Sequence, residues 1–258
     1  MTVLRIFAAM LAAAFTLAIG SARAEMKKEW VEYNHGDAKL KAYMAYDDQG
    51  SGKRPAVLMI HAREGMTPKT LSLAENWAKL GYVSFAADIF GYGQGVLPKD
   101  VPEMQAQTAI YTKDRPLMRA RTQAGFDALV KNPMVDPTRV ALIGYCFGGA
   151  VGVEFGSTGA PLVANVAIHG SFRDHAPGWA KNAKGMFLIL HGAEDEGFPL
   201  TTVDKVIQEL RAAKVPFELE VYSGTGHGFS TPKNKAEERA NAESIAATGR
   251  TLKELFGI

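Results

Sequence analysis

Short apolar runs punctuate the chain at residues 56–60 (AVLMI), 82–86 (YVSFA), 140–144 (VALIG), 163–168 (VANVAI), 186–190 (MFLIL) and 217–222 (FELEVY). Most are continuous rather than alternating, which is the pattern of parallel strands covered on both faces. Between them lie helical patterns over 71–80, 119–130, 147–155, 202–213 and 236–256. The alternation predicts an α/β fold, a doubly wound and mostly parallel sheet with helices on both faces. Two earlier segments, 29–33 and 39–46, flank the turn-like Asn34-His35-Gly36-Asp37 and predict an antiparallel N-terminal edge hairpin.

The first 24 residues stand outside this pattern. Arg5, an apolar stretch over 6–19 and the ending Ala22-Arg23-Ala24 read as a secretory signal peptide cleaved before Glu25, so a periplasmic or secreted protein is expected. The apolar stretch is shorter than the roughly 20 residues a spanning helix needs. No later segment is long and apolar enough to span a bilayer, so no membrane association is expected after cleavage. Residues 25–258 suit a single domain with a real core, without internal repeats or linkers. The net charge of +2 comes from scattered Lys and Arg, which argues against nucleic acid or an anionic membrane as partner. A small-molecule substrate and a monomer or small homo-oligomer are expected.

In such a sheet, ligands gather where strands end and helices begin. After residue 60 comes His61-Ala62-Arg63-Glu64-Gly65; after Tyr145, Cys146; after Ile168, His169; after Leu190, HGAED; after Tyr222, SGTGHGF. Reactive side chains therefore cluster at one end. Cys146 is the only cysteine, so no disulfide can form within the chain, and the thiol is either a buried filler or a reagent. Its frame favours the second. Gly144-Tyr145-Cys146-Phe147-Gly148 is the G-x-C-x-G form of a nucleophile elbow, a tight strand-to-helix turn that demands small neighbours at 144, 148 and 149. The positive end of the helix starting near Phe147 favours thiolate over thiol.

A nucleophile on this turn needs a base and an orienting acid, which follow it in the order nucleophile, acid, histidine. Asp195 lies just past one strand and His227 just past the last. Asp195 could instead cap a helix and His227 could be a surface residue, but their order and strand-end positions match jointly. His61, His169 and His191 also sit at strand ends without a zinc-type spacing, so no metal and no cofactor are expected. Hydrogen bonds that tie loops together are their expected role.

GYCFGGA around Cys146, HGAEDEGFP around Asp195, GHGF around His227 and LGYVSFAADIFG after the second core strand together resemble the dienelactone hydrolase family, the cysteine-using branch of the α/β-hydrolase fold. The likeness runs from about Ala56 to the C-terminal helix. It implies that Cys146 is the nucleophile, His227 the general base and acid, and Asp195 its orienting carboxylate. Family members usually carry a glutamate right after the first core strand; here Ala62 stands there and Glu64 two residues later. Either Glu64 takes over, or thiol activation rests on His227 and the helix terminus. An arginine expected shortly after the histidine is replaced by Gly228-Phe229-Ser230-Thr231-Pro232, which puts the name-giving dienelactone substrate in doubt. Arg63 and Arg173, on loops at the active end, are candidates to bind an anionic substrate, or are simply solvated.

The expected chemistry is hydrolysis of small esters or lactones through a thioester intermediate, with the oxyanion held by the Phe147 N–H and one from the loop beginning at Arg63. Residues 91–115, with Gly93, Gly95, Pro98 and Pro102, read as a long connection covering the site. The rival expectation is a non-catalytic ligand-binding or redox-sensing relative, which would not require Asp195 and His227.

Overall fold

The computed structural model describes residues 25–48, 52–173 and 175–258; the leader read at 1–24 lies outside them. Eight strands form one sheet: β1 (Met26–His35), β2 (Ala38–Asp47), β3 (Arg54–Ile60), β4 (Val83–Ala87), β5 (Val135–Tyr145), β6 (Ala164–Ile168), β7 (Met186–Gly192) and β8 (Phe217–Tyr222), ordered β1-β2-β4-β3-β5-β6-β7-β8. β1 and β2 pair antiparallel, with His35 opposite Ala38 across the turn at Gly36. β2 also runs antiparallel to β4, and every later pairing is parallel. β3, β4 and β6 are buried almost throughout, which is why they read as unbroken apolar runs.

Five of the six α-helices among the described residues cover the sheet. α1 (Pro68–Lys79) and α6 (Lys235–Phe256) bury Trp77, Ala247, Leu252 and Phe256 against one face. α3 (Arg115–Val130), α4 (Phe147–Gly156) and α5 (Leu200–Ala212) cover the other, packing Phe126, Phe155 and Leu210. Helices α1 and α3 begin three or four residues before their apolar periodicity. The Thr67 hydroxyl and the Asp114 carboxylate each accept an N–H of the first turn, with a proline just inside.

The connection expected over 91–115 contains a helix, α2 (Val101–Lys113). Asp100 accepts the Glu103 N–H at 2.9 Å while Glu103 reaches back to the Lys99 N–H at 2.8 Å, which is reciprocal capping. Apolar periodicity misses this helix because only Tyr111 on it is buried. Among the described residues no helix is long and apolar enough to cross a membrane.

Behind the elbow, buried Glu154 of α4 holds Arg115 and Arg119 of α3 and His175, the last two at 2.9 and 2.7 Å. Burial pushes the Glu154 carboxyl up, but the hydrogen bond and charge of His175 and the neighbouring Arg115 outweigh it and hold it down at about 2. A depressed carboxyl stabilises the fold above its ordinary value near 4.5 and loses that contribution as pH falls toward about 2. Glu154→Gln is therefore expected to be less stable at neutral pH by about 2 kcal/mol. Its urea midpoint should also fall less steeply than the wild type's through that acid window. Parallel pH curves for the two proteins would remove Glu154 from the acid response.

Candidate active site

Cys146 sits between β5 and α4 with φ 53° and ψ −113°, a conformation that non-glycine residues rarely adopt and that tight functional turns retain. Its neighbours leave no room. A Cβ on Gly144 would lie 2.0 Å from the Gly148 carbonyl oxygen, and one on Gly148 would lie 2.3 Å from the Ile60 carbonyl oxygen. The elbow is held from the next strand by the Cys146 N–H to Ile168 and the Ser171 N–H to the Cys146 carbonyl, at 3.1 and 2.9 Å. Cys146 is 9% exposed, and that residue lines a cleft of about 600 Å³ rather than the closed core.

The structure brings Cys146, His227 and Asp195 into one hydrogen-bonded line. His227 Nε2 lies 3.0 Å from Cys146 Sγ, and His227 Nδ1 lies 2.7 Å from Asp195 Oδ2. Asp195 is buried, and its other oxygen accepts the Phe198 N–H at 3.0 Å. Burial pushes its carboxyl up, but the His227 bond and charge bring it below the ordinary value, so it is an ionised acceptor. The Nδ1 proton of His227 therefore points at Asp195 and leaves Nε2 for the sulfur. The Phe198 ring packs on the His227 ring at 5.1 Å, and the buried His169 ring meets it edge-on at 5.2 Å.

The thiol and the imidazole shift toward each other. Burial pushes the Cys146 thiol up, but the hydrogen bond and charge of His227 outweigh it, and Ser171 Oγ, at 3.3 Å from Sγ, adds to the net lowering. Burial pushes His227 down, but Asp195 and then Cys146 raise it to about 9. Both shifts favour the thiolate and imidazolium forms of the pair. Phe147 opens α4, so its N–H has no intrahelical acceptor.

The remaining candidates divide. Arg63 and Arg173 both line the cleft, and the Arg173 guanidinium lies over the Phe198 ring at 5.2 Å. Glu64 does not line it; its carboxylate pairs with Arg63 at 3.6 Å, and its charge pushes the Cys146 thiol up. The proton-taking role considered for Glu64 therefore has no contact to carry it. His61, His169 and His191 hold loops: His169 Nε2 meets Ser230 Oγ at 2.7 Å, and His191 Nε2 meets the Phe198 carbonyl at 2.8 Å. Among the described residues no group of three or more His, Cys, Asp or Glu side chains is arranged to hold a metal ion. Ser171 and the Gln105, Thr108 and Thr112 face of α2 belong to the cleft and escaped sequence reasoning. The strand-end rule, extended three residues past β6, finds the serine; the Asp100-x-x-Glu103 cap finds the helix.

Comparison with known proteins places the fold. A dienelactone hydrolase-like promiscuous phosphotriesterase from metagenomic libraries superposes with a TM-score of 0.83 at 31% identity, covering 90% of this chain and 99% of that one. A Synechocystis sp. relative, for which carboxymethylenebutenolidase is a provisional name, is 27% identical over 252 residues, 90% of this chain and 97% of its own. The carboxymethylenebutenolidase homolog of Mus musculus is 25% identical over 219 residues, 83% of this chain and 86% of its own. The dienelactone hydrolase family profile matches residues 40–256, and the chain belongs to that family.

Proposed function

We propose that this hydrolase cleaves small esters or lactones with Cys146 as nucleophile, His227 as general base and acid, and Asp195 as orienting carboxylate. The observation that carries this reading is the line of hydrogen bonds from Asp195 through His227 to a sulfur at the wall of an open cleft. The thiolate attacks the carbonyl carbon, and the oxyanion is met by the N–H groups of Phe147 and Arg63. The His227 imidazolium gives its proton to the departing alkoxide and leaves an acyl thioester. Neutral His227 then takes a proton from water, which attacks the thioester, releases the carboxylic acid and restores the thiolate. Arg63 and Arg173 are available to hold an anionic end of the substrate. The leader read at 1–24 puts this activity outside the cytoplasm.

Thiolates expel alkoxides readily but amines poorly without strong acid assistance, so esters and lactones should outrank peptides. The test is a panel of p-nitrophenyl acetate, small lactones and a peptide anilide, to which the likeness to a phosphotriesterase adds phosphotriesters. The panel is run before and after iodoacetamide treatment, and a chain with one cysteine takes the label at one place. Ester turnover that disappears on alkylation is the expected result. A peptide cleaved faster than an activated ester, or turnover indifferent to alkylation, would overturn the reading.

A further inference from the structure

His61 follows β3, is 1% exposed and does not line the cleft. Its Nδ1 lies 2.7 Å from the Ala62 carbonyl oxygen, and the Ile89 N–H reaches its Nε2 at 3.2 Å. A backbone N–H only donates and a carbonyl only accepts, so the ring carries a proton on Nδ1 and none on Nε2. The other tautomer would present lone pair to carbonyl and proton to proton, and losing either bond would strand a buried polar group. The Phe90 and Phe147 rings pack on it at 4.6 and 6.2 Å and hold its plane.

We propose that His61 is a positioning residue for the oxyanion hole: its ring, fixed between the Ile89 N–H and the Ala62 carbonyl, sets the direction of the Arg63 N–H. The inference rests on the ester-hydrolase reading above. In a planar trans peptide the N–H points opposite to the preceding C=O, so whatever orients the Ala62 carbonyl orients the Arg63 N–H. That carbonyl is held twice, by His61 and by the Gly65 N–H at 3.1 Å. The Gly65 donor is thereby used up, while Arg63 lines the cleft together with Cys146 and Phe147. The second oxyanion donor, on Phe147, belongs to the residue whose ring packs against His61, and the next residue, Gly148, sits against the Ile60 and His61 carbonyls. One imidazole thus ties the two donor-bearing segments and the β4 loop to a common frame.

Three substitutions separate the two arms of the ring. Asparagine can supply a donor at the place of Nδ1, glutamine an acceptor at the place of Nε2, and leucine neither. For p-nitrophenyl acetate, His61→Leu and His61→Gln should lower kcat roughly 10²-fold, the size of losing one oxyanion donor, with KM near the wild-type value. His61→Asn should recover most of the loss. Alkylation of Cys146 by iodoacetamide creates no oxyanion, so its rate should be unchanged in all three. Should the leucine variant fail to fold, the contrast between asparagine and glutamine carries the test. Equal kcat losses at all three substitutions, or alkylation slowed in proportion to kcat, would overturn the role and leave a packing histidine. Wild-type ester turnover indifferent to Cys146 alkylation is a different failure, which would bring down the hydrolase reading and this inference with it.

Discussion

Replacing His227 with alanine is expected to lower kcat on short activated esters about 10⁴-fold, and adding Cys146→Ala should cost little more, because the two act as one unit. The imidazole does two jobs, and a second measurement separates them. At a site as buried as Cys146, burial alone pushes a thiol up; the bond and charge of His227 reverse that, and the sulfur in turn helps raise His227 to about 9. The two groups therefore titrate as a pair, and between its acid and basic limits the ion pair persists. Alkylation of the wild type by iodoacetamide should reach half its maximal rate at a pH below the ordinary thiol value of roughly 8.5. In His227→Ala the midpoint should move above that value, since burial then acts unopposed. An identical midpoint in the two proteins would mean that the helix terminus, not the imidazole, charges the sulfur.

Gly148→Ala is expected to be strongly destabilising for a single added methyl. The added carbon would stand 2.3 Å from the Ile60 carbonyl oxygen and 3.0 Å from that of His61, both backbone atoms at the end of a central strand. Neither can swing aside as a side chain would, so α4 must shift away from β3 and take Phe147 and Cys146 with it. Overpacking of this kind costs roughly 3 kcal/mol or more when the obstacle is rigid, or on the order of 6–12 °C in Tm for a chain of this size. The same displacement moves the sulfur away from His227, so activity should fall further than the folded fraction does. A Gly148→Ala protein with unchanged Tm and kcat would show that the contact between helix and strand is not a constraint.

The sheet was legible because its interior strands are covered on both sides and must be apolar at every position, a requirement that β3 and β4 meet almost completely. The hairpin was legible because Gly36 and its polar neighbours mark its turn. Within the site, the order of Cys146, Asp195 and His227 could be read along the chain because each follows a strand of known place in the sheet. Two features escape apolar patterning and strand-end position for physical reasons. α2 lies over the cleft rather than on the core, so its polar positions answer to the site and leave no apolar stripe to detect. Glu64 offers the carboxylate the chemistry calls for, but whether it meets a thiol or pairs with Arg63 depends on the path of one loop, which short-range sequence does not specify.

That same helix bears on how the protein can diversify. Gln105, Thr108, Ala109 and Thr112 form one wall of the cleft, while α2 anchors itself through little more than Tyr111 and its own end caps. New side chains at those four positions can reshape the cleft while leaving the hydrophobic interior intact. Substrate range and foldability are thus largely uncoupled in this wall, which makes it the natural target for a combinatorial library seeking altered selectivity.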